Sequence, residues 1–315
     1  MTHRFYLNDD WLFTEQFEDS LAAPEYPENT LQPVRLPHTC KETPFHYFDE
    51  SLYQMVSGYR RHLLIPEDWQ GKQILLTFEG AAHDSTVFCN GKKVGEHHCG
   101  YTAFTVDLTD NVLYGQDNLL CVRLDSRENL NVPPFGYVID YMTYGGIYRD
   151  VRLEVKEKVS LSDIFVHTAI DFSSSPVTAQ ITSEITLTAS DENLTIRQYY
   201  MPKSTAAAQE SWQLLCEQTV SADTTCDKVI ALTATITAPL LWDTEEANLY
   251  ILKTQLYQDN ALLDETETTF GIREAVFKKD GFYLNGRKLM IRGLNRHQSF
   301  PYVGYAMPKS MQRLD

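Results

Sequence analysis

Apolar and polar residues alternate along most of this chain with a period of two. Val151, Leu153 and Val155 alternate with Arg152, Glu154 and Lys156, the pattern of a strand that turns one face to a core. Leu120, Val122 and Leu124 alternate with Cys121 and Arg123 in the same way, whereas Ile74–Phe78 is a short apolar run that predicts a strand covered on both faces. Asn90-Gly91 separates Thr86–Cys89 from Lys92–Val94, and Asn285-Gly286 separates Gly281–Leu284 from Lys288–Ile291. Both pairs predict tight hairpins, because their turn positions need positive φ. A helical period emerges only at the end, where Pro308 suits a first helical turn and Met311 and Leu314 share one stripe. The chain reads as mainly β.

The pattern divides the chain into three. Residues 1–157 carry enough strands for a jelly-roll sandwich. From 158 to 271 the sequence turns threonine-rich, and Val159–Ile170, Ile181–Ser190 and Lys228–Thr237 read as strands of an immunoglobulin-like β-sandwich. Residues 272–315 hold the second hairpin, an apolar strand ending Met290-Ile291-Arg292-Gly293, a loop rich in Tyr, His and Pro, and the helix start. So short a helix is marginal alone, and a lone strand exposes its edge. This points to the front part of a longer polypeptide, with residues after about Arg292 poorly packed.

Composition narrows the function. At 43 % hydrophobic and 22 % charged residues the chain is globular, and its net charge of −16 argues against a nucleic-acid-binding face. No apolar stretch approaches a membrane span, and the start shows no apolar signal-peptide core. Six cysteines without a regular framework read as reduced thiols in a cytoplasmic protein, although Cys89 and Cys99 could face each other across the hairpin. Adjacent strand residues point to opposite faces, so His97-His98-Cys99 is a poor metal site. The aromatic share of 12 %, with 18 Tyr and 15 Phe, suits strands and also sugar rings, whose C–H faces stack on aromatics.

Several segments in a fixed order carry a family likeness: Leu36-Pro37-His38-Thr39, Gly58-Tyr59-Arg60-Arg61, Val87–Gly95, Gly100–Phe104, Gly145-Gly146-Ile147-Tyr148-Arg149-Asp150-Val151, Leu241-Trp242-Asp243 and Ile291–His297. Together they resemble the N-terminal portion of glycoside hydrolase family 2, which includes β-galactosidases, β-glucuronidases and β-mannosidases. The resemblance implies a jelly-roll sugar-binding domain, an immunoglobulin-like domain and then the first strand and helix start of a (β/α)₈ barrel, truncated here. The run Asp140–Gly146 is most similar to the β-galactosidase branch. There the matching aspartate touches sugar hydroxyls and a sodium ion, a role that falls on Asp140. Asn295-Arg296-His297 matches the loop after the first barrel strand, so the resemblance makes all three substrate-binding candidates; barrel sites lie at the C-terminal ends of strands. It implies no cofactor held by this stretch alone, with sodium and magnesium belonging to the longer parent, and a parent that is a homo-oligomer. Beyond His297 the sequence departs from the best-known galactosidases. The region His46–Gln54 offers Asp49 and Glu50 where some galactosidases supply an asparagine.

Read without the resemblance, Asp140 is an ordinary turn residue, His297 a satisfied loop histidine and Arg296 an ion-pair partner. The acetal chemistry itself is missing. Retaining glycosidases need two carboxyl groups about 5–5.5 Å apart, and the family takes its proton donor from an Asn-Glu pair. None of the twelve asparagines here precedes a glutamate. The expectation is therefore a fragment of a retaining β-galactosidase that binds β-galactosides in part but holds no catalytic residue. The alternatives are an autonomous carbohydrate-binding module within 1–157, an assembly part, or a parent acting on glucuronides or mannosides.

Overall fold

The computed structural model describes residues 2–44, 46, 49–136, 141–188, 193–203, 211–220 and 228–314. The chain forms two compact units, His3–Val155 with Asn295–Asp315, and Lys156–Leu294 with Met1–Thr2. Among the described residues no helix is long and apolar enough to cross a membrane.

Among the described residues, ten strands build the first unit: β1 His3–Tyr6, β2 Trp11–Thr14, β3 Gln32–Val34, β4 Val56–Ile65, β5 Gln73–Phe78, β6 Asp84–Cys89, β7 Lys92–His97, β8 Phe104–Asp107, β9 Gln116–Asp125 and β10 Val151–Lys156. They lie in two antiparallel sheets, β1-β10-β5-β8 and β3-β2-β4-β9-β6-β7. Ile74, Leu76, Phe78, Val151, Leu153 and Val155 from one sheet meet Trp11, Tyr59, Leu120, Val122 and Leu124 from the other in one core. The alternation seen in β9 and β10 is thus the inner face of a sandwich. The other face of β9 is covered as well: Cys121 packs with Leu21, Ala22 and Leu31. Arg60, fully buried on β4, holds that cover down through Glu28 at 2.9 Å and the carbonyls of Leu21 and Ala23. β5 differs from expectation, since Leu75 is only half-buried and its outer face is incompletely covered.

The second unit holds β11 Leu161–Asp171, β12 Thr178–Leu187, β13 Leu194–Pro202, β14 Gln213–Val220, β15 Lys228–Thr237, β16 Tyr250–Gln258, β17 Ala261–Phe270, β18 Ala275–Lys278, β19 Gly281–Leu284 and β20 Arg287–Leu289. Sheets β11-β12-β15 and β14-β13-β16-β17 enclose a core of Ile185, Ile196, Leu232 and Leu256, continued by Ile181, Leu252 and Ile272. The end of the strand expected over Ile181–Ser190 and Cys226 lie outside the described residues. Trp242 is half-buried, its ring against the bare Cα of Gly271 and beneath the Arg273 guanidinium, so it serves packing. Strands β18-β19-β20 form a separate meander, with Asn285-Gly286 at its second turn.

No barrel start is visible among the described residues. β20 ends at Leu289, and Met290, Ile291 and Leu294 are 78, 63 and 100 % exposed. A barrel strand is fixed by parallel neighbours on both edges, and nothing among the described residues pairs with this segment. The helix does form, as α1 Lys309–Leu314 following Pro308, but it buries no residue.

Candidate functional site

Residues after about Arg292 were expected to be mobile or poorly packed, yet Tyr302–Met307 are docked within the first unit. Phe300 and Gly304 pair in a small turn (Phe300 N to Gly304 O, 3.1 Å), and Tyr302 N donates to Thr43 O at 2.8 Å. Gly304 has φ +53°, and a Cβ there would lie 2.4 Å from the Tyr144 ring, so only glycine admits this approach. Ala306 and Met307 are buried, and Tyr305 sits among Tyr144, Tyr148 and Tyr101 with ring centroids at 4.8, 5.5 and 6.4 Å. Edge and tilted ring pairs of this kind add to burial.

The segment after residue 140 is pinned from several sides. Thr143 N donates to Glu50 Oε1 at 3.3 Å and Thr143 Oγ1 to Glu128 Oε1 at 3.0 Å. Tyr305 Oη donates to Met142 O at 3.1 Å. Gly146, at φ +127°, lies where a Cβ would meet the His38 carbonyl at 2.3 Å. Asp49 is spent elsewhere, capping a short turn through Ser51 N.

Between these two anchored segments lies a cavity of about 890 Å³ within the first unit. At one end the His297 and Tyr141 rings stack at 4.6 Å with an interplanar angle of 27°. Tyr101 and Tyr305 also line it. Desolvation, followed by the neighbouring tyrosine hydroxyls, pushes the Tyr101 phenol far up; burial does the same to Tyr305. Both stay neutral, and the Tyr305 hydroxyl proton is directed at Met142 O. Stacked rings beside neutral hydroxyls match the two faces of a sugar, apolar C–H and polar O–H.

Of the residues singled out in the sequence, Arg296 and His297 line the cavity, while Asn295 is exposed and does not. Asp140, the implied sugar and sodium ligand, lies outside the described residues. Tyr101 and Tyr141 were not singled out, although Tyr141 directly follows Asp140 and the tyrosine richness of the chain was a usable signal. Among the described residues, two acids line the cavity. Glu79 accepts from Arg152 at 2.6 Å, and Asp150 accepts from Asn8 at 3.0 Å and pairs with Lys309 at 3.5 Å. Their oxygens thus serve as structural acceptors, which is not the free pair that glycoside hydrolysis requires. No cluster of three or more potential metal ligands exists among the described residues. His98 instead bonds Asp84 and His97 bonds Thr102, and Cys89 and Cys99 are free thiols.

Comparison with known proteins gives the following. Residues 8–157 match the model described as glycosyl hydrolases family 2, sugar binding domain, and residues 159–273 match the model described as glycosyl hydrolases family 2. The chain is 36 % identical over 310 residues to a β-galactosidase of Thermoanaerobacter pseudethanolicus, covering 98 % of this chain and 40 % of the relative. It is 37 % identical to a β-galactosidase of Thermoanaerobacterium thermosulfurigenes, covering 98 % and 42 %. The structure of Bacteroides uniformis β-glucuronidase 2 covalently bound to cyclophellitol-6-carboxylate aziridine superposes with a TM-score of 0.81 at 26 % identity, covering 100 % of this chain and 38 % of that one. The chain therefore spans about 40 % of the length of these relatives.

Proposed function

Since the chain belongs to glycosyl hydrolase family 2, we propose that it is the N-terminal part of a retaining β-galactosidase and forms one wall of the galactoside site. The observation that carries this reading is the stack of His297 on Tyr141 in the lining of a tyrosine-rich cavity. The identities of 36 and 37 % to two β-galactosidases favour galactose as the sugar. The cavity draws on residues 296–312 as well as on the strands, which argues against a self-sufficient binding module confined to 1–157. In this reading residues 1–157, 158–271 and 272–315 are the sugar-binding domain, the immunoglobulin-like domain and the opening of a (β/α)₈ barrel. The barrel's first strand becomes regular only beside its parallel neighbours. The acid and nucleophile come from elsewhere, so this chain alone does not turn over substrate. Asp140 completes the sugar contacts, with sodium supplied to the longer enzyme, a cytoplasmic homo-oligomer.

A glucuronide-hydrolysing parent is the second reading, favoured by the likeness to the B. uniformis enzyme. Titration of the ¹⁵N-labelled chain with methyl β-galactoside, methyl β-glucuronide and methyl β-mannoside separates the two. The first reading expects saturable shifts at Tyr141 and His297 with the galactoside at lowest concentration. Preference for the glucuronide replaces it with the second, and absence of any shift at these residues overturns both.

A further inference from the structure

We propose that Arg149 in the lining of this cavity holds an anionic group on a residue adjoining the galactosyl ring, so that the ligand is a galactoside with a charged neighbour rather than a neutral one. This rests on the sugar reading above and adds a charge to the ligand.

The argument begins with charge. The chain carries −16 overall, a field that repels anions, yet Arg35, Arg149, Arg296 and Lys309 outnumber Glu79 and Asp150 in the described lining of this one cavity. Arg35 pairs with Asp9 at 2.6 Å, and Lys309 pairs with Asp150 at 3.5 Å. Arg149 has no carboxylate partner among the described residues; its guanidinium lies 5.5 Å from the centroid of the Tyr148 ring. That ring is itself fixed, being largely buried with its hydroxyl donating to Gly100 O at 2.6 Å.

The seat of Arg149 is also built. Arg149 N bonds Gly80 O at 3.3 Å, and a Cβ on Gly80 would lie 2.9 Å from Tyr148 Cζ and 3.0 Å from Arg149 Cδ. Bare backbone at residue 80 thus lets the ring and the arginine stem settle together. Arg149 is exposed, and its guanidinium, resting over a fixed ring, presents its fork to a carboxylate or sulfate. The volume of about 890 Å³ is near the top of the range for small-molecule sites, roughly 300–1,000 Å³. A galactose on Tyr141 and His297 leaves space for an adjoining charged residue.

Lactose and lactobionate test this directly, because they share the galactosyl group and differ in that the second carries a carboxylate. Calorimetry on the full chain at low ionic strength is expected to show lactobionate binding about tenfold more tightly, with the margin shrinking as salt is added. Arg149→Met is expected to bring lactobionate to the wild-type lactose value, and Arg149→Lys to keep part of the margin. Gly80→Ala, which displaces the seat without removing the charge, should reduce it too. Lactose 6-sulfate and inorganic sulfate ask whether sulfate serves as well as carboxylate; binding of either that depends on Arg149 supports the site. Equal affinity for lactose and lactobionate, or a margin that survives Arg149→Met in a folded variant, overturns the inference and leaves the galactoside reading standing. Lactobionate binding through Arg149 without lactose binding supports the inference and overturns that reading, and binding of neither overturns both.

Discussion

Tyr305 is the residue on which the docking of the 295–314 segment turns, and its replacement has a calculable effect. Its hydroxyl donates to Met142 O at 3.1 Å and meets the Tyr101 hydroxyl, while its ring packs among three other tyrosines. Tyr305→Phe removes only the hydroxyl and its hydrogen bonding, a loss of about 1 kcal/mol. Tyr305→Ala also removes the ring and opens a cavity, a loss of about 3 kcal/mol at the low end for an aromatic deletion. If the segment opens locally, these losses appear in the opening equilibrium, where each 1.4 kcal/mol is tenfold. Amide exchange at Ala306 and Met307, whose N–H groups bond within the docked turn, should then accelerate about fivefold in Tyr305→Phe and about a hundredfold in Tyr305→Ala. Amides of the β4–β9 ladder report global unfolding and should change less. Unchanged exchange at 306 and 307 in the alanine variant would show that Tyr305 does not hold the segment, and the cavity wall built on it would fall with that result.

Other expectations follow from the same contacts. Burial draws His38 and His83 down to about 4 from an ordinary value of 6.5, so between those limits the unfolded chain binds protons that the folded chain refuses. Stability should be full above pH 6.5 and fall as acid is added toward pH 4, by up to roughly 3 kcal/mol per histidine; urea midpoints of wild type and His83→Gln that run parallel across that window would contradict this. Arg60→Leu leaves Glu28 and two carbonyls without their cation and should cost about 3 kcal/mol in urea unfolding, whereas a loss under 1 kcal/mol would mean that residues 19–31 are held by something else. Gly304→Ala combines a left-handed backbone with a contact of 2.4 Å to the Tyr144 ring, and should lower stability by roughly 3 kcal/mol; a neutral effect would show that the turn relaxes freely.

Strands with a one-sided pattern were readable because alternation encodes burial directly, as in Val151–Val155, where the odd positions enter the core. The hairpins at Asn90-Gly91 and Asn285-Gly286 were readable because positive φ selects those residues. The Met290–Gly293 strand was not, since its apolar pattern presumes partners that the described residues do not include. The docking of Tyr302–Met307 was also hidden: it depends on the Gly304–Tyr144 approach and the Tyr302–Thr43 bond, long-range contacts that leave no period in the sequence. At the candidate site, His297 and Arg296 stood out by their place in a segment that carries the family likeness. Tyr101 joins them only through folding, from a position almost two hundred residues away.

Turnover by the purified chain bears most closely on the assignment of a sugar wall without the bond-breaking groups. With 4-nitrophenyl β-galactoside, the chain should release no nitrophenol above the buffer rate while methyl β-galactoside still shifts Tyr141 and His297. Release that a single substitution within the chain abolishes, Glu79→Gln for example, would place the chemistry here and contradict the account.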